Sequence, residues 1–208
     1  MLDWRYSDEI GWGFLLSETR PEYIHGRFIE RIMLKEEVTD PFGQAIHYER
    51  VLFQETHFLV RYQHPHLEIR NAPRSISTFL SQLGRSFDFT VALTPIELDV
   101  MRLLSALEKQ ASSLTVSRIT IADMAVATGV EAKCILVGER DVRRHLRLLT
   151  ANRKFRITSV WAGFALERVE LSVEIAAEGR VIICGEVPDT IRVRFRELVR
   201  DATVSKPQ

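Results

Sequence analysis

One stretch limits the architecture of this chain more than any other. From Thr94 to Trp161 it reads TPIELDVMRLLSALEK, then ITIADMAVATGV, then GERDVRRHLRLLTANRKFRITSVW. Thr94-Pro95-Ile96-Glu97 is a helix start, with Thr as cap, Pro at the first helical position and Glu reaching back to the cap N–H. Ile96, Val100, Leu103, Leu104 and Leu107 then recur at helical spacing as one apolar stripe. ADMAVATGV predicts a short helix closed by Gly129, and Glu139–Thr150 predicts a second, basic one. Phe155–Trp161 and Leu166–Ile175 predict two strands joined by Ala162-Gly163-Phe164. Val181–Cys184 is expected to be a short strand. A last helix starts near Asp189, with Ile191, Phe195, Leu198, Val199 and Ala202 on one face.

Charge marks the same stretch. The 208 residues carry no net charge, but residues 1–60 hold 6 Lys/Arg against 11 Asp/Glu and residues 61–160 hold 15 against 9. A neutral protein can still bind a polyanion if one face is basic. On a helical wheel at about 100° per residue, Arg140, Arg143, Arg144 and Arg147 group opposite Val142, His145, Leu146 and Leu149. With Arg153, Lys154 and Arg156 they make seven basic residues within positions 140–156. Cations along one edge are what phosphate contact needs. These seven are the candidate nucleic-acid-binding residues. Arg192, Arg196 and Arg200 form a second basic ridge, expected to be solvated.

Ile121–Val130 resembles the first helix and turn of a helix-turn-helix, with the small Ala125 at the helix crossing and Gly129 in the turn. Asp141–Thr150 resembles the second half of a winged-helix recognition helix, followed by a hairpin wing. The order of elements is similar to that in the winged-helix domain of plasmid replication initiators. The resemblance implies binding of double-stranded DNA, with a second domain for dimerisation. Between Val130 and Arg140, however, EAKCILVGE is longer than a standard turn, and CILV reads as a strand. In the competing reading, ITIAD and KCILV are both sheet strands.

Residues 1–93 predict a β-rich region with one helix. Ile10–Leu16, Ile46–Leu52, Thr56–Tyr62 and Leu67–Arg70 are its candidate strands, and His25–Lys35 reads as either strand or helix. A turn is expected at Asp40-Pro41-Phe42-Gly43. Ser75 is a candidate N-cap for a helix carrying Ile76, Phe79, Leu80 and Leu83, with Gly84 as its stop. Phe87–Leu93 alternates like a strand. The acidic character of the region offers a surface for a second copy or another protein.

The fold class expected is therefore α+β: a β-rich region over 1–93 and a winged-helix-like region over 94–208. The function expected is non-catalytic DNA binding in a replication initiator or transcriptional regulator. One rival is a Mg²⁺-dependent nuclease built on Asp123, Glu131 and Lys133, two carboxylates for the metal and a lysine to orient water. Another is a protein–protein adaptor. His57, His64 and His66 have no cysteine nearby and are read as a polar edge, so no metal or other cofactor is expected. No P-loop, G-x-G-x-x-G or G-x-S-x-G occurs. No apolar run reaches the ~18 residues of a membrane span, and Met1–Ile10 is too polar for a signal peptide. Cys134 and Cys184 sit in apolar runs and are expected to be buried thiols of a cytoplasmic protein.

Overall fold

The computed structural model describes residues 4–62, 67–151 and 153–204. His64 and His66 lie outside the described residues. The chain divides into two compact units, 1–93 and 94–208. Both are mixed α+β, each with one antiparallel sheet.

The first unit has four strands, β1 (Trp12–Thr19), β2 (Tyr23–Thr39), β3 (Ala45–Arg61) and β4 (Leu67–Arg70), paired in sequence order, and one helix, α1 (Ser77–Ser86). Its core is aromatic. Phe14, Phe28, Phe58 and Phe79 are all buried, with ring centroids 5.1–6.3 Å apart. Phe28 and Phe58 come from the sheet and Phe79 from α1, which fixes the helix against that face. Ile46–Leu52 and Thr56–Tyr62 are one continuous strand, β3, because nothing between them breaks the ladder with β2. At the hairpin turn, the Asp40 carboxylate accepts the N–H groups of Phe42 and Gln44, both at 2.8 Å, and Gly43 takes φ +85°. The expected Ser75 cap does not form: α1 starts after Ile76 without a side-chain cap. Gly84 lies inside the helix, and Phe87–Leu93 forms no strand. Turn bonds on Phe87, Asp88 and Phe89 tie that segment back to Gly84 and Arg85 instead.

The second unit contains α2 (Val100–Glu108), β5 (Ser113–Ala127), β6 (Val130–Val137), α3 (Arg143–Leu149), β7 (Arg156–Leu166), β8 (Val169–Ala176), β9 (Val181–Cys184) and α4 (Asp189–Ala202). Its sheet runs β6-β5-β7-β8-β9, antiparallel throughout. Val100, Leu103, Leu104 and Leu107 of α2, Val142 and Leu146 of α3, and Ile191, Phe195 and Leu198 of α4 are buried. They share one core with Val116, Ile119, Ile121, Val160, Ala162, Phe164, Val173 and Ile175 of the sheet. The other sheet face is left uncovered by these helices.

Three expectations for this unit change. First, Thr94-Pro95 does not open a helix. Leu98 and Asp99 donate their N–H groups to Ala177 and Ala202, so this segment runs extended, and Asp99 caps α2 by accepting from Arg102 N–H at 2.9 Å. Second, Ile121–Val130 is not a helix and turn. It is the end of β5, a two-residue turn at Thr128-Gly129 and the start of β6. Gly129 does take positive φ, at +71°, but in a hairpin. The β-branched run TVSRITI buries Val116, Ile119 and Ile121, and that packing overrides the weak helical signal of ADMAVA. No helix-turn-helix is therefore formed by these residues. Third, the β7–β8 turn lies at Glu167-Arg168, both at positive φ (+53° and +68°), while Ala162-Gly163-Phe164 sits inside β7. The thiols are free: Cys134 is half-buried, but Cys184 is exposed on the sheet's edge strand.

Candidate nucleic-acid interface

The basic helix is shorter than expected, spanning Arg143–Leu149. Val142 and Leu146 anchor it in the core, and Val142 N–H donates to the Val116 carbonyl of β5 at 2.9 Å. Arg144, His145, Arg147 and Leu148 consequently face solvent, and Leu148 is 72% exposed. His145 thus leaves the apolar face to which the helical wheel assigned it.

The seven candidate cations separate into two groups. Arg143 is structural. Its guanidinium donates to both Asp141 carboxylate oxygens (2.8–3.0 Å) and to both Glu108 oxygens (2.9 Å). Asp141 in turn accepts the N–H of Arg143 at 2.9 Å and of Val116 at 3.4 Å. One arginine therefore ties the start of α3 to the end of α2 and to β5. Hydrogen bonds to Asp141 and then Glu108 raise the Arg143 pKa. Burial pushes the Asp141 carboxyl up, but the bonds from Arg143 and Val116 outweigh it and hold the pKa below the ordinary value. Glu108 is lowered by the same guanidinium. Arg156 is also engaged, donating to Asp123 at 2.8 Å across the β5–β7 ladder, which raises its pKa.

The remaining five point outward. Arg153 donates to the Leu149 carbonyl at 3.3 Å, closing the end of α3 while staying exposed. Arg140, Arg144, Arg147 and Lys154 are exposed and have no ion-pair partner among the described residues. They lie on α3 and the turns at its two ends, and the Lys154 carbonyl accepts the N–H of Ala125, which fixes that turn to β5. The second ridge behaves differently: Arg192 pairs with Asp189 (3.3 Å) and Arg200 with Asp201 (3.4 Å).

The uncovered sheet face holds a concavity of about 350 Å³. Cross-strand pairing sets Val137, Arg118, Trp161, Glu174 and Ile182 in one row. Thr120, Ile135, Ser159 and Val160 line it together with Arg118, Val137, Trp161 and Glu174 of that row. Arg180 donates to Glu174 at 2.9 Å and offsets its charge. No motif in the sequence announces this face. Its signal is the alternation in TVSRITI and KCILV, which puts Arg118, Thr120, Ile135 and Val137 on one side.

The residues of the metal-site alternative all lie on the β5–β6 hairpin. Asp123 sits at a β5 bulge with φ +55° and is held by Arg156, while Glu131 lies opposite Ala125 further along the hairpin. Among the described residues, no group of three or more His, Cys, Asp or Glu side chains is placed to hold a metal. No described helix is long and apolar enough to cross a membrane. No protein-family model matches the chain, and neither the curated proteins nor the solved structures provide a match.

Proposed function

We propose that the protein binds duplex DNA without chemistry, through the phosphate backbone, using Arg140, Arg144, Arg147, Arg153 and Lys154. The observation that carries this is the sorting of the cations: Arg143 clamps the fold and the exposed Arg156 is paired with Asp123, whereas four of the other five are exposed and unpaired among the described residues. Exposed cations on one short helix and its flanking turns suit phosphate contact. With the helix-turn-helix absent, the reading assigns phosphate positioning rather than base readout to this surface. Replication initiation and transcriptional regulation are the settings in which such binding would serve.

The test is duplex binding across a salt series. Arg144→Ala with Arg147→Ala is expected to weaken binding and to lower the salt slope by about 2, roughly 0.9 for each phosphate no longer neutralised. Unchanged affinity and slope in this variant would overturn the reading. Arg143→Ala is unsuitable as the probe, because it removes a structural clamp.

A second reading, protein–protein interaction through the first unit, is favoured by one observation. The distal part of its β2–β3 hairpin exposes Met33, Leu34, Val38, Ile46, Tyr48 and Val51.

A further inference from the structure

The β2–β3 hairpin outruns the rest of its sheet. β1 pairs with β2 only as far as Glu30, and β4 pairs with β3 only from His57. From Ile32 to Thr39 and from Ala45 to Leu52, the two strands pair with each other and with no other described strand. At about 3.3 Å per residue this arm is about 25 Å long, with both edges open. A two-stranded ribbon standing alone in water is marginally stable at best.

The two faces of the arm differ. On one face, Lys35 pairs with Glu49 and His47 with Glu37, each at 3.6 Å. That face also carries Met33 and Val51 near the body. The other face continues the side of β2 and β3 that holds Phe28 and Phe58. Beyond the reach of the aromatic core it presents Ile32, Leu34, Val38, Ile46, Tyr48 and Leu52. Of these, Leu34, Val38, Ile46 and Tyr48 are 37–53% exposed. Its two charged residues are Glu36, which accepts from the Tyr48 hydroxyl, and Arg50, which has no ion-pair partner among the described residues.

We infer that this apolar face is a homodimer interface, covered by the same face of a second copy of the chain. Charge selects that occupant. Residues 32–52 carry two Lys/Arg against four Asp/Glu, which opposes a nucleic acid or an anionic membrane. The face itself holds one acid and one base, so two copies meet without net repulsion, and each Arg50 has a Glu36 to reach on the other copy. An isologous contact requires this self-complementarity. Two faces about 25 Å long and about 10 Å wide bury on the order of 500 Å² in total, below the ~1,200 Å² at which stable specific interfaces begin, so the dimer is expected to be weak and to dissociate on dilution. The inference is independent of the DNA-binding surface, which lies in the other unit.

The experiment is sedimentation velocity of the full chain over a wide concentration series. It compares the native chain with Leu34→Lys combined with Ile46→Lys, and with Met33→Lys on the opposite face. Near-ultraviolet circular dichroism and thermal melting check that the Phe14–Phe28–Phe58–Phe79 core is retained. The native chain and Met33→Lys are expected to dimerise, with dissociation constants within about threefold of each other. The Leu34/Ile46 variant is expected to weaken the dimer at least tenfold. A native chain that stays monomeric throughout would overturn the inference, as would a monomer whose arm instead binds duplex DNA or anionic vesicles. A Leu34/Ile46 variant that dimerises normally, or a Met33→Lys variant that dissociates equally, would also overturn it.

Discussion

Arg143 shows how a side chain of the expected type acquires a different task. Its position on the wheel beside Arg140, Arg144 and Arg147 was legible. That Asp141 and Glu108 would take it was not, because Glu108 is 35 residues away in sequence and reaches it only once α2 and α3 share a core. Arg143→Ala breaks charge-assisted hydrogen bonds at a group only a quarter exposed, and is expected to cost about 1–3 kcal/mol in a denaturant titration. The same clamp sets a pH dependence. The Asp141 and Glu108 pKa values are depressed in the folded state from ordinary values of 3.8 and 4.5. Their contribution is complete above those values and is lost as pH falls through the lowered ones. Stability is therefore expected to decline on acidification below about pH 4.5, less steeply in Arg143→Ala, with Glu108 giving the smaller share because it is half exposed. Gly26 makes a steric counterpart. A Cβ there would lie 2.8 Å from the Phe58 ring and 2.9 Å from the Leu15 carbonyl oxygen. Gly26→Ala is expected to destabilise the first unit by about 1–3 kcal/mol, read from its thermal transition.

At the level of elements, long periodic segments were the legible ones. The stripe of α2 and the face of α4 carry the residues that the spacing predicted, and the Asp40–Gly43 turn follows from the roles of Asp and Gly. The failures share a cause. ADMAVA, Thr94–Glu97 and Phe87–Leu93 are short, and their local preferences are worth less than the contacts that override them. β5 gains three fully buried β-branched residues by staying extended through this region, more than a cap and an alanine crossing supply. KCILV carried the decisive sign, since a strand there needs a neighbour and TVSRITI is the adjacent one. Phe79 links helix to sheet in the first unit, contacting Phe14, Phe28 and Phe58. Phe79→Ala is expected to cost about 3–5 kcal/mol, with loss of the near-ultraviolet aromatic signal. Its effect on binding to duplex DNA tests whether the candidate contact surface depends on that core.

Across the whole chain, zero net charge conceals an uneven distribution. The basic surplus falls between residues 61 and 160, and the exposed apolar arm falls in the acidic first third. Composition could show the asymmetry but not the interface, because residues at even and odd positions along the arm separate only once the register of β2 and β3 is known. The sheet of the second unit carries a further consequence, one of time. Glu167 and Arg168 both hold positive φ, the geometry of the tightest hairpin loop, in a sequence that pays for it without asparagine or glycine. β7 is the middle strand of that sheet, and this loop of two residues joins it to β8, whereas β5 reaches β7 only after β6 and α3 have been laid out. Loop-closure entropy therefore predicts that the β7–β8 hairpin forms before β5 joins it. Glu167→Asn with Arg168→Gly relieves the loop and is expected to accelerate refolding in stopped-flow measurements while leaving the unfolding rate nearly unchanged. Folding rate and binding are thus expected to be set by different residues, since Glu167 and Arg168 belong to neither proposed contact surface.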